Sequence, residues 1–306
     1  LPINYAVLGF VAFWCKWVEA ANRHNPWQEP CSRSSFPSAS SSEVSNLLFS
    51  FKTPLPGKDE PSRMVLIRVL ADDALFLGLK GAQGVKFGFL NKCPYTVWAG
   101  TLSGAGSSPL AQTGFELASG ASANLIAPAA WSGRFWGRTN CAADASGLFK
   151  CGTADCGSGR LDCNGAGAAP PATLLELTLG TNGGQDFYDV SLVDGYNLPA
   201  SLAPQGGQGS CAAASCPTDV NRVCPRELQA VGSDGTTVVA CKSACEAFGD
   251  PKYCCTGDYG NPTACKPTGY SQVFKNSCPL AYSYAYDDAT STFTCTGADY
   301  LVTFCP

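Results

Sequence analysis

Histidine is almost missing from this 306-residue chain: His24 is the single example, and Met64 is the single methionine. Residues 85–306 contain neither, so a Ser–His or Cys–His nucleophilic site cannot be assembled there. No C-x-x-C spacing occurs, which removes the zinc-ribbon, zinc-finger and thioredoxin-like patterns. No metal and no cofactor are expected. Charge is sparse at 14%, with no basic tract, and residues 85–306 carry 12 Lys and Arg against 17 Asp and Glu, net −5, in a chain of net −4. Nucleic acid and anionic membranes are therefore not expected partners, because phosphate binding relies on Lys and Arg. The apolar run from Tyr5 to Cys15 is about half the ~20 residues a spanning helix needs, so no integral membrane segment is expected. Internal repeats, heptads and N-x-S/T acceptors are missing too.

Cysteine is what the chain has in excess. There are 18, and 16 fall between Cys93 and Cys305, an even number suited to eight bridges in an oxidising compartment. Cys254 and Cys255 are adjacent and must reach different partners. Hydrophobic residues make up 45%, enough for a real core, while 33 Gly and 21 Pro punctuate many short apolar runs. That combination predicts a mainly β protein of one large domain or two.

In chain order, residues 1–63 read as a non-native or disordered extension, with the Ser-rich SRSSFPSASSS at 32–42. Residues 64–84 read as the remnant of a signal peptide, its apolar core interrupted by Asp72 and Asp73. Cys15 and Cys31 stand outside the cysteine framework. From Val85, VKFGFLN, TVWAGTL, GFELASGASANLIAP and WSGRFWGRTNC read as strands and turns. Residues 141–171 are cysteine-dense and poor in apolar residues, so bridges must hold them. Two short helices are expected in the second cysteine-rich stretch, at 217–231 with Thr218 or Asp219 as cap and at 242–249 closed by Gly249. Strands are expected around AYSYAY and YLVTFCP.

The stretch 173–195, TLLELTLGTNGGQDFYDVSLVDG, carries the clearest local signal: Asn182-Gly183 between alternating apolar runs predicts a β-hairpin. With Asn182 and Gly183 as the central turn residues, Glu176 lies directly opposite Asp189. A turn centred on Gly183-Gly184 would instead set Ser191 opposite Glu176. Opposed like charges destabilise a sheet, so the first register marks Glu176 and Asp189 as a candidate site, with Asp194 just beyond. The alternative is that all three are ordinary solvent-facing residues.

The residues GLFKCGTADCGSGRLDC at 147–163 resemble the signature of the thaumatin-like proteins, the pathogenesis-related antifungal family of plants. FGFLNKCPYTVWAG, WGRTNC, DFYDVSLVDGYN, KYCC and VTFCP extend the resemblance over residues 85–306. It implies a flattened β-sandwich of about ten strands with two disulfide-rich lobes. The sandwich would take 85–140, 172–216 and 278–306, the small lobe 141–171 and the helical lobe 217–277. It also implies the pairing Cys93–Cys305, Cys141–Cys151, Cys156–Cys163, Cys211–Cys295, Cys216–Cys278, Cys224–Cys241, Cys245–Cys254 and Cys255–Cys265.

Matched residue by residue, the family's cleft falls on Arg134, Glu176, Asp189, Asp194 and Asp287. The resemblance implies a monomeric defence protein, secreted to the apoplast, whose acidic cleft binds β-1,3-glucan of the fungal cell wall. Its alternatives are a weak endo-β-1,3-glucanase, an inhibitor of a pathogen hydrolase and a membrane-perturbing protein. For hydrolysis, Glu176 would be the acid, raised in pKa by crowding, and Asp189 its partner. Phe187, Tyr188 and Tyr196 are candidate rings for stacking on sugars. The chain stops at Cys305-Pro306 without the C-terminal extension of vacuolar members, which is the ground for expecting the apoplast.

Overall fold

The computed structural model describes residues 84–306. The expectations for the N-terminal extension, the signal remnant, Cys15 and Cys31 lie outside the described residues. Alternating burial builds the strands: in β1 (Val85–Asn91) Phe87, Phe89 and Asn91 face inward. There follow β2 (Val97–Ser103), β3 (Gly114–Leu117), β4 (Ser122–Ala127), β5 (Ser132–Arg138), and the two-residue strands β6 (Ala142–Ala143) and β7 (Phe149–Lys150). Next come β8 (Leu174–Thr178), β9 (Asp186–Ser191), β10 (Ala200–Gln205), β11 (Ala214–Cys216), β12 (Gln229–Val231), β13 (Val238–Cys241), β14 (Phe293–Cys295) and β15 (Asp299–Phe304).

Eleven of these strands form two sheets, ordered β11-β10-β15-β1-β4 and β14-β9-β8-β5-β2-β3. The pairing is antiparallel except between β1 and β15. Inward residues of both sheets meet in one core, where the Phe135 ring lies 4.9 Å from Phe87 and 5.2 Å from Phe89. Polar staples cross that core. Asp186, buried at the mouth of the β8–β9 hairpin, accepts hydrogen bonds from Gly180 N–H at 2.8 Å and from the Tyr300 hydroxyl of the opposite sheet at 2.7 Å.

The stretch between β5 and β8 packs on the outer face of the six-stranded sheet around Trp136 and Leu174. Arg138, wholly buried, donates to the carbonyls of Trp98, Ala99 and Leu161 and so fastens that stretch to β2. All eight bridges are those the family resemblance implies. Among the described residues no helix is long and apolar enough to cross a membrane.

Two sequence expectations are corrected. Residues 217–231 are not a helix but the 3-10 turns Val220–Val223 and Arg226–Leu228, followed by β12. Pro225 breaks the run: a proline disfavours helical backbone in the residue before it, and Cys224 is extended at ψ 121°. AYSYAY is not a strand either. Tyr282 makes one bridge to Ser191, and Asp287 then captures Ser283 through its N–H at 3.0 Å and its hydroxyl at 2.9 Å, closing a loop where a ladder would continue. The expected helix at 242–249 forms as Ala244–Phe248, capped by Ser243 and closed by Gly249 at φ 63°. Three further helices follow: Pro251–Cys254 behind Asp250, Gly269–Ser277 behind a Thr268–Ser271 capping box, and the single turn Asp288–Ser291.

Candidate functional site

The β8–β9 register is the one in which Glu176 faces Asp189. Asn182 and Gly183 both have positive φ, 52° and 78°, and Gly184 N–H donates to the Thr181 carbonyl at 2.8 Å, the frame of a turn that asks for Asn-Gly. On the other side of β8, Arg134 of β5 pairs with Glu176. Arg134, Glu176 and Asp189 therefore form one row across three strands. Their neighbours Phe135, Leu175, Leu177, Tyr188 and Val190 point into the core, so period-2 alternation turns the charged row to the opposite face.

The Arg134 Nε lies 3.6 Å from Glu176 Oε1, and both side chains stay in contact with water at 40% and 36% exposure. Asp189 differs: its Oδ1 is buried with no hydrogen-bond partner. Asp194 sits in the turn after β9, where Gly195 has φ 86° and N–H to the Leu192 carbonyl at 3.0 Å. A Cβ on Gly195 would lie 2.7 Å from the Cys241 carbonyl oxygen, so only glycine lets the chain pass here.

Arg134, Glu176, Asp189 and Asp194 line a cavity of about 320 Å³ together with Ser191, Tyr282 and Asp288. That is the lower end of the range for small-ligand sites. Asp287, expected in the cleft, does not line it. Its carboxylate pairs with Lys275 Nζ at 2.9 Å and holds Ser283, and its side chain is only 12% exposed. Asp288 takes the cleft position instead and accepts from the Tyr282 hydroxyl at 2.9 Å. Consecutive carboxylates pointing two ways could not be told apart from Asp-Asp in the sequence.

Of the three rings considered for sugar stacking, Tyr188 and Tyr196 are buried in the core, and Phe187 is exposed at 50%. Phe187 and Asp189 are two apart on β9 and share its outer face. Tyr282, within AYSYAY, was missed as a site residue because that run looked like a strand. Glu246, on the helix Ala244–Phe248 and not part of the cavity lining, has a buried Oε2 without a partner, and burial raises its pKa with Asp194 adding to the rise.

The electrostatics divide the facing pair. Burial, then Glu176 and Asp288, push the Asp189 carboxyl up to about 8. Burial also raises Glu176, with Asp194 adding to the rise, but the Arg134 guanidinium opposes it. Glu246 rises to about 7, mainly through burial. Near neutral pH the arrangement therefore keeps a proton on Asp189, while at Glu176 the rise from burial is opposed by Arg134. Glu176 is raised as the sequence led one to expect, yet the arginine stands beside it, and the unpartnered, more enclosed carboxyl is that of Asp189.

The thaumatin family model matches residues 91–306. Thaumatin-like protein 1 of Pyrus pyrifolia is 64% identical over 227 residues, which cover 74% of this chain and 93% of that protein. Thaumatin-like protein 1 of Prunus persica is 63% identical over 231 residues, with 75% and 94% covered. A glucan endo-1,3-beta-glucosidase of Prunus avium is 58% identical over 242 residues, with 79% and 98% covered.

Proposed function

This chain belongs to the thaumatin family, whose similar members include a pathogenesis-related thaumatin-like protein of Cryptomeria japonica, and on that premise we propose that it is a defence protein whose acidic cleft binds β-1,3-glucan. The observation that carries this is the row Arg134–Glu176–Asp189 on the face turned away from the core. A row of donors and acceptors beside the exposed ring of Phe187 suits a neutral, hydroxyl-rich ligand. Carboxylates accept from sugar hydroxyls, protonated Asp189 and Arg134 donate, and the ring covers an apolar sugar face. Eight disulfides fit a protein that works outside the cytosol.

Hydrolysis is the second reading, favoured by the division of protons in the pair and by the name of the Prunus avium relative. Asp189 would protonate the glycosidic oxygen while Glu176 attacks the anomeric carbon. Water would then cleave the glycosyl ester and return the proton to Asp189. The separation of the two carboxyl groups in the complex would set whether such a reaction retains or inverts the anomeric configuration.

Sedimentation with insoluble β-1,3-glucan, coupled to an assay of released reducing ends, separates the two. Binding without product supports a lectin, and product that survives both Glu176→Gln and Asp189→Asn removes the pair from catalysis. A protein that fails to sediment with the polymer overturns the cleft assignment.

A further inference from the structure

The turn that sets the hairpin register is also a place where the chain can react with itself. Among the described residues two asparagines precede glycine, Asn164 and Asn182. That step is the least hindered one for attack of a backbone nitrogen on the asparagine side-chain carbonyl, because glycine has no side chain to crowd the nitrogen.

The fold sets the two asparagines apart. Asn182 and Gly183 are exposed, as are Thr181, Gly184 and Gln185 around them. The hydrogen bond across the turn belongs to the Gly184 N–H, and among the described residues none holds the Asn182 amide or the Gly183 N–H. A Cβ placed on Gly183 would meet nothing within 4 Å, so no neighbouring group fills the space beside the nitrogen. Asn164 is held instead. Its side-chain amide donates to the Asp162 carbonyl at 3.3 Å and its backbone N–H to Thr113 Oγ1 at 3.0 Å. Cys163 beside it is bridged to Cys156, and the Cys163 carbonyl accepts from Ala166 N–H at 2.9 Å. Ring closure at Asn164 must break such contacts, whereas at Asn182 it needs only rotation within a solvent-facing turn.

We propose that Asn182 is a site of spontaneous deamidation, converted to aspartate and isoaspartate by the nitrogen of its own neighbour while the fold stays intact. Base in the solvent removes the Gly183 amide proton, the nitrogen attacks the Asn182 side-chain carbonyl carbon, and the side-chain carbon–nitrogen bond breaks as ammonia leaves with a proton from water. Water then opens the cyclic imide. Opening at the former side-chain carbonyl gives aspartate, and opening at the main-chain carbonyl gives isoaspartate, with the backbone rerouted through the side chain. The net exchange is one water for one ammonia and a carboxylate for a neutral amide, so each event adds one negative charge to residues 85–306, whose net charge is −5. Below the tip the hairpin is pinned. Leu179 N–H donates to the Trp131 carbonyl at 2.9 Å, Gly180 N–H to Asp186 at 2.8 Å, and Thr178 pairs with Phe187. The change therefore stays in the tip, and Glu176 keeps its place opposite Asp189.

The test keeps the purified protein warm in mildly alkaline buffer, separates its charge forms by isoelectric focusing, and locates the change by peptide mass spectrometry that distinguishes aspartate from isoaspartate. A more acidic form accumulates, its change maps to Asn182 several-fold faster than to Asn164, and its melting temperature equals that of fresh protein. Asn182→Gly, which leaves a Gly-Gly pair that this turn accepts, does not form it. In denaturant Asn164 converts as readily as Asn182. Conversion of Asn164 ahead of Asn182 in the folded protein, or the same acidic form at the same rate in Asn182→Gly, overturns the assignment. Conversion of Asn182 in denaturant alone also overturns it, because the folded turn would then shield the site.

Discussion

Asp189 shows how a single side chain can make a fold sensitive to pH. Its carboxyl ordinarily titrates at 3.8, and in the folded chain it is pushed up to about 8 by burial, Glu176 and Asp288. Below about pH 4 both the folded and unfolded chains carry the proton. Between about 4 and 8 the unfolded chain releases it and the folded chain keeps it, so stability falls as pH rises through this window. Asp189→Asn removes that slope, and urea unfolding at several pH values measures it; a variant with the same slope as the wild type would locate the titration elsewhere. The opposition of Glu176 and Asp189 was one of two registers legible in the sequence; the Asn182-Gly183 turn of the structure selects it, and period-2 alternation gives the face. The direction of the proton was not legible. It depends on Arg134 of another strand and on Asp288, 99 positions beyond Asp189 at the start of the short helix Asp288–Ser291, which no local pattern reports.

At the level of elements, strands whose turns carry Gly, Asn or Pro were readable, and so was the helix closed by Gly249. Segments decided by tertiary partners were not. The segment 281–286 has the alternation of a strand, yet Asp287 closes it on Ser283 and on Lys275 of the helix Gly269–Ser277. Lys275 Nζ also donates to the Ala281 carbonyl at 3.0 Å and the Ser291 hydroxyl at 2.9 Å, so this one ammonium gathers the segment that presents Tyr282 and Asp288 to the cleft. Lys275→Met leaves the Asp287 carboxylate largely buried and uncompensated, and is expected to cost about 3 kcal/mol in chemical denaturation. The same variant should weaken glucan binding through the displaced wall, whereas a surface lysine such as Lys150 changed to Met should move neither.

At the scale of the whole molecule, composition announced the bridges but family resemblance supplied their pairing, since cysteine spacing alone admits many connectivities. The bridges differ in what they constrain. Cys93–Cys305 closes a separation of 212 residues and Cys156–Cys163 one of 7. In the chain-entropy account, opening the first by a Cys93→Ala/Cys305→Ala pair costs about 3–5 kcal/mol, more than opening the second, and paired thermal melts would show the order. A further constraint follows from Asp186, which ties the hairpin mouth to Tyr300 in the opposite sheet. The floor of the cleft cannot shift without tearing a polar staple out of the core, and the opposite wall is tied to that floor by the hydrogen bonds of Tyr282 to Val190 and Leu192 and held from behind by Lys275. The cleft is thus a vice with both jaws set, and a ligand must fit the gap rather than widen it.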